Sequence, residues 1–307
     1  MSIDLLQEKI RKTKSPIMVG LDPTEDLIPL HILSDAFAEH GQTPEALAAA
    51  YLRFCRELLD ELKETVPAVK IQTGCFELLG APGVAAMQAV ADYARSLDYY
   101  VMLDSLRSDA PHISELYAKM VFGGFSVGSA YYEPYCCDAV TVNGYLGSES
   151  VQPYLPYCRN SKKNVFLMVK SSNRSGRELQ DLASGDRTVH TAMADLIMRW
   201  SAGLYGKYGY SEIGAIMGAN DAHSLEEIRK KYDRIFILLV GYGAQGGTAK
   251  PASAAFDSLG HGAIVAASRS IIGAWKQADS DGSDYCSLAR EAAVKMKKDI
   301  SRYVTVI

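Results

Sequence analysis

The sequence predicts an α/β fold, a (β/α)8 or TIM barrel, and two patterns carry that prediction. Eight short apolar runs recur along the 307 residues, separated by longer stretches of helical periodicity. The runs are near-continuously apolar rather than alternating, as parallel strands covered on both faces should be. The length suits one barrel spanning 1–307, and no break in composition marks a second domain. An open doubly wound sheet is the competing architecture, but no GxGxxG follows the first run.

In chain order, the first strand is expected at 17–21 (Ile-Met-Val-Gly-Leu), followed by a helix over 43–63. The second strand is placed at 68–71 with a helix over 83–96, and the third at 100–103 with a helix over 113–122. A Tyr/Gly-rich connection, 123–137, leads to the fourth strand at 139–142 and a helix over 148–157. The fifth strand, 165–169, is followed by a polar, Gly-containing segment, 173–187, and a helix over 189–207. That segment reads equally as an active-site loop or an ordinary surface loop. Strands at 213–217, 235–240 and 263–267 complete the eight, with helices over 224–231, 251–258 and 283–303.

Composition excludes several classes. Hydrophobic residues make up 48%, enough for a large core, and the net charge of −4 with no Lys/Arg-rich block argues against a nucleic-acid surface. Residues 1–15 are charged and lack the apolar segment of a secretory signal, and no run of about 18 apolar residues spans a membrane. A cytoplasmic protein is therefore expected. Six scattered cysteines without CxxC read as reduced thiols, and six histidines without HxH or HExxH spacing predict no zinc site.

Chemistry in such a barrel sits at the C-terminal ends of the strands. The polar residues there are Asp22, Lys70 and Gln72, Asp104 with Asp109 beyond it, Asn143, Ser171-Ser172-Asn173, the loop 241–247 (Gly-Tyr-Gly-Ala-Gln-Gly-Gly), and Ser268-Arg269. The glycine-rich loop and Arg269 suggest a phosphate site, because exposed backbone N–H groups and a guanidinium both bind oxyanions. Lys70 stands inside an apolar run, where an unpaired cation is costly, so it should meet Asp104 or Asp22. Asp22 before Pro23 also reads as a turn initiator. His112 and His190 read as helix-start or surface residues.

These residues resemble the orotidine 5′-phosphate decarboxylase family in its longer bacterial form. The likeness rests on Val19-Gly20-Leu21-Asp22-Pro23, Ala68-Val69-Lys70-Ile71-Gln72, Asp138-Ala139-Val140-Thr141-Val142-Asn143 with Tyr145-Leu146-Gly147, Ser171-Ser172-Asn173 with Leu179-Gln180-Asp181, the 241–247 loop and Ser268-Arg269. The resemblance implies a cofactor-free decarboxylase in a barrel homodimer, converting orotidine monophosphate to uridine monophosphate, the last step of pyrimidine synthesis. It implies that Asp22 contacts the ribose, that Lys70 and Asp104 begin a charged array, and that Asp109 reaches into the partner's site. Ser172, or its neighbour Ser171, would bind the pyrimidine ring, and Asn173 would also contact the substrate. Gly243, Gln245, Gly246 and Arg269 would hold the phosphate.

The chain departs from the family at the motif Asp-x-Lys-x-x-Asp. Here it reads Asp104-Ser105-Leu106-Arg107-Ser108-Asp109, with Leu106 at the lysine position. Ile113 stands where the family has threonine, Ala110 where it has isoleucine, and Val240 where it has proline. Loss of CO2 leaves an electron pair on a ring carbon, which a positioned ammonium would stabilise and protonate. Leucine does neither, so impaired turnover is expected, and an acid beside Leu106 is expected to stay protonated. The alternative is a non-catalytic nucleotide-binding relative that keeps the phosphate grip.

Overall fold

The computed structural model describes residues 2–307. Eight parallel strands close a barrel: β1 (Ile17–Leu21), β2 (Ala68–Gln72), β3 (Tyr100–Asp104), β4 (Ala139–Val142), β5 (Asn164–Lys170), β6 (Ile213–Gly218), β7 (Ile237–Val240) and β8 (Ala263–Ala267). The ladder runs in sequence order and β8 pairs with β1, so each expected strand is present within two residues of its expected ends.

Period-two alternation divides each strand between two cores. One set of side chains packs outward against the helices: Val19, Val69, Val101, Val140, Leu167 and Leu239 belong to it. The other fills the barrel: Met18, Ala68, Tyr100, Met102, Phe166, Ile216, Phe236, Leu238 and Ile264. Gly214 makes room there for the edge-to-face Phe166–Phe236 pair, because a β-carbon would lie 2.5 Å from the Phe166 ring. Apolar filling occupies the lower layers, which leaves the upper ends of the same inward-facing columns for polar residues.

A helix absent from the sequence reading, Ser2–Thr13, plugs the opposite mouth. Its charged residues masked an apolar stripe of Ile3, Leu6 and Ile10, all buried against the barrel filling. The backbone N–H of Ile3 donates to Glu212 Oε2 at 3.1 Å, and Asn164 Nδ2 donates to the same oxygen at 2.5 Å. Glu212 is fully buried, and burial pushes its carboxyl up to about 7. A carboxyl raised on folding contributes stability that is complete below its unfolded range and lost as pH rises through the folded value. Thermal unfolding should therefore show stability declining between about pH 5 and pH 8. Glu212→Gln should flatten that decline by about 1–3 kcal/mol; an unchanged slope would refute the assignment.

The remaining differences have local causes. The helix expected over 148–157 is broken into Ser148–Val151, a 3-10 turn Gln152–Tyr154 and Leu155–Asn160, because Pro153 and Pro156 each start a new segment. The helix expected over 189–207 ends at Trp200, before Gly203 turns at φ 78°. A second unforeseen helix, Leu30–His40, follows β1. The 123–137 connection carries an antiparallel hairpin, Phe125–Val127 with Ala130–Tyr132, whose Phe125, Val127, Tyr131 and Tyr132 are exposed. Among the described residues no helix is long and apolar enough to cross a membrane, and all six cysteines are free.

Candidate active site

A cavity of about 290 Å³ opens at the C-terminal end of the barrel. Its floor is apolar, from Met168, Ile216, Leu238 and Ala266, the top of the barrel filling. Parallel register then sets the polar wall. Gln72 pairs with Asp104 across β2–β3, and Asp104 with Thr141 across β3–β4, so three inward-facing side chains stand side by side. Lys70, one layer lower on β2, rises between Asp104 and Asp22. Gly20 allows Asp22 and Ser268 to approach, since a β-carbon there would lie 1.9 Å from Ser268 Oγ.

The expected pairing of Lys70 holds with both acids. Its Nζ is 2.5 Å from Asp104 Oδ2 and 3.7 Å from Asp22 Oδ1. Gln72 Nε2 donates to Asp104 Oδ2 at 3.1 Å, and Thr141 Oγ1 donates to Oδ1 at 2.6 Å. Burial alone would raise the Asp104 carboxyl, but the neighbouring ammonium and these hydrogen bonds hold it below the usual range. Burial likewise would lower Lys70, and the two carboxylates outweigh it and raise it. The expectation of a protonated acid beside Leu106 is therefore corrected for Asp104: Lys70 satisfies it without the missing residue.

Leu106 lines the cavity, 41% exposed, with left-handed backbone at φ 49°. Such a conformation costs a non-glycine residue about 1–2 kcal/mol. Thr141 holds it, its hydroxyl accepting the N–H of Ser105 at 3.0 Å and of Leu106 at 3.1 Å. Arg107 does not replace the absent cation. Its guanidinium pairs with Glu77 and lies over the Tyr117 ring at 5.7 Å, away from the cavity lining.

From the ends of β7 and β8, Gly241, Tyr242, Ala244, Gln245, Ser268 and Arg269 line the cavity. Ser172 Oγ donates to Gln245 Oε1 at 2.5 Å and ties the β5 loop to the β7 loop. Arg269 stands exposed, with no acidic partner among the described residues. Ser171, Ser172 and Asn173 also line the cavity.

Three expected site residues lie elsewhere. Gly243 and Gly246 are outside the lining; their N–H groups bond to carbonyls of Gly247 and Gly243, so with φ 71° and 86° they shape the loop. Asp109 is exposed outside this chain's cavity, its Oδ1 accepting the Ala110 N–H at 2.6 Å. Of the two histidines, His112 is an exposed residue of the helix Pro111–Phe122. His190 starts the helix Val189–Trp200 but is buried, with Nδ1 2.8 Å from the Gln180 carbonyl.

Sequence reasoning missed Thr141, although a hydroxyl in an otherwise apolar strand was a usable signal. It also had no means of placing Lys170. Alternation would aim Lys170 inward, but a bulge at Val169 shifts the β5–β6 register so that Lys170 pairs with Met217. Lys170 turns outward and is held by Asp181 at 2.7 Å, Asp221 at 2.8 Å and Ser224 Oγ at 2.8 Å. The segment after β5 is pinned by the same contacts, with Gln180 Oε1 accepting the Ser171 N–H at 2.9 Å. The cations lining the cavity are thus Lys70 and Arg269 alone among the described residues.

Comparison with known proteins identifies the family and the fold. The family model described as orotidine 5′-phosphate decarboxylase / HUMPS matches residues 15–280. Proteins named orotidine 5′-phosphate decarboxylase from Rhodopirellula baltica and Clostridium novyi are 33% and 31% identical, over 96% and 98% of this chain and 97% and 98% of theirs. The solved structure of Leishmania donovani OMP decarboxylase aligns over 99% of each chain with a TM-score of 0.75 and 26% identity. Because the likeness runs from before the first barrel strand to beyond the last, the chain belongs to the orotidine 5′-phosphate decarboxylase / HUMPS family.

Proposed function

We propose that this chain binds orotidine monophosphate in the barrel-mouth cavity and decarboxylates it slowly, because the proton-delivering position is occupied by Leu106. The observation that carries this reading is the lining of one cavity. Gln245 and Arg269 stand at the ends of β7 and β8, the Lys70–Asp104 pair with Leu106 across the barrel mouth at β2 and β3, and Asp22 at the end of β1 between them. Arg269, unpaired, would take the phosphate in charge-assisted bonds, Asp22 the ribose, and Ser171, Ser172 and Asn173 the pyrimidine.

In the reaction the bond from the ring carbon to the carboxylate breaks, the electron pair stays on the ring, and CO2 leaves. One proton must then reach that carbon. Lys70 is the sole lysine lining the cavity among the described residues, and its proton is held by two carboxylates, so it is a weak acid there. Asp104 remains ionised beside the substrate carboxylate and disfavours the ground state by repulsion. The test is turnover of orotidine monophosphate, followed by absorbance at high enzyme concentration. Slow turnover supports the proposal. A protein that binds uridine monophosphate without turnover is the non-catalytic nucleotide binder instead, a reading that Leu106 at the cavity wall and Ile113 favour.

The homodimer belongs to the same proposal. Asp109, exposed and outside its own cavity, would serve a partner's, and the exposed apolar hairpin over 125–132 would offer contact area. Sedimentation equilibrium should give twice the 33.4 kDa chain mass; a monomer at micromolar concentration would refute it.

A further inference from the structure

The cavity is electrostatically polarised in a way that sets which ligands it prefers. At the rim, Arg269 is a cation without a counter-charge among the described residues, which makes that side attractive to a phosphate. On the β2–β3 side of the mouth, Lys70 is the single cation lining the cavity among the described residues, held between Asp104 and, from β1, Asp22. That cluster holds one ammonium for two carboxyl groups. No other cation lines the cavity near it among the described residues. Arg107 is committed to Glu77, and Lys170 is turned behind the bulge onto Asp181 and Asp221. Gln72 and Thr141 are neutral and already donate to Asp104. Leu106 adds an apolar surface to the same cavity and supplies no charge to offset these acids.

We propose that this site selects phosphate monoesters whose opposite end is uncharged, and that Leu106 sets the selectivity. Resting on the nucleotide-site reading above, the preferred ligand class is a nucleoside monophosphate with a neutral pyrimidine ring. The ring carboxylate of orotidine monophosphate meets repulsion from Asp104 without a cation to offset it, while a ring bearing only hydrogen at that position meets Leu106 by apolar contact. Slow turnover then has a second cause besides the missing proton donor, namely weak occupancy by the carboxylated substrate and strong occupancy by its product.

Calorimetric titration of the full chain with uridine monophosphate and with orotidine monophosphate tests this. Uridine monophosphate should bind about tenfold tighter or more. Leu106→Lys should move the ratio toward orotidine monophosphate by about tenfold or more, and Asp104→Asn, which removes one charge, should move it the same way. Tighter binding of orotidine monophosphate by the unaltered chain overturns the selectivity while leaving the nucleotide site intact. A ratio unmoved by both variants overturns the assignment to this charged end. Binding of neither nucleotide by the folded chain overturns the nucleotide reading itself, and the selectivity with it.

Discussion

Leu106→Lys is expected to raise the rate of orotidine monophosphate decarboxylation by about 10²–10⁴-fold, the range in which a positioned general acid contributes. The backbone is ready for the change. Leu106 already holds the left-handed conformation, with its N–H bound to Thr141, and an unbranched lysine stem tolerates that conformation no worse than leucine. The lysine stem would lie along the wall that leucine covers, with its ammonium at the cavity. There it would face Asp104, whose depressed carboxyl is ionised at neutral pH and attracts a second cation. That ammonium would be less tightly committed than Lys70, so its proton would be available to the ring carbon. Absorbance assays of both proteins side by side give the answer. Equal rates would mean that another residue supplies the proton, and Lys70 would become the suspect. Two inert proteins that still bind uridine monophosphate would establish a nucleotide binder in a decarboxylase fold.

The second large effect is expected in stability. Lys70→Met removes the one cation between Asp22 and Asp104 and leaves Asp104, only 13% exposed, without its counter-charge. Removing one partner of a buried pair costs about 3–5 kcal/mol, measurable as a shift in urea midpoint. The pH dependence identifies the cause. Asp104, depressed on folding, contributes stability that is present above its unfolded pKa and lost as pH falls through the folded one. Lys70, raised on folding, contributes stability that is complete below its unfolded pKa and lost as pH rises through its folded one. The gap between the two proteins should therefore be widest between about pH 5 and 10 and narrow on both sides. A gap independent of pH would show that Lys70 acts through packing alone.

Much of this molecule was legible in order of residues alone. The eight apolar runs determined the barrel, since a run too short for a helix and apolar at every position fits a strand covered on both faces. Once the barrel was in hand, the strand ends named Asp22, Lys70, Asp104 and Arg269 as cavity residues, and the lone lysine in an apolar run named its own partners. The absence of a cation at Leu106 was also visible there, because identity needs no coordinates.

Tertiary structure alone decided which neighbouring groups could compensate. Arg107 sits beside Leu106 in the chain, yet it turns away to Glu77, a contact set by helix placement 30 residues earlier. Lys170 would be a third cavity cation by alternation, and a one-residue bulge reverses its face. Gly243 and Gly246 spend their N–H groups inside their own loop. Charged residues of the Ser2–Thr13 helix hid its apolar stripe until the barrel mouth gave that stripe a surface to cover. In each case the outcome depends on register, on the sign of φ or on a partner distant in sequence. A local pattern carries residue type and period, but not the three-dimensional position of the group that a charge or an N–H will meet.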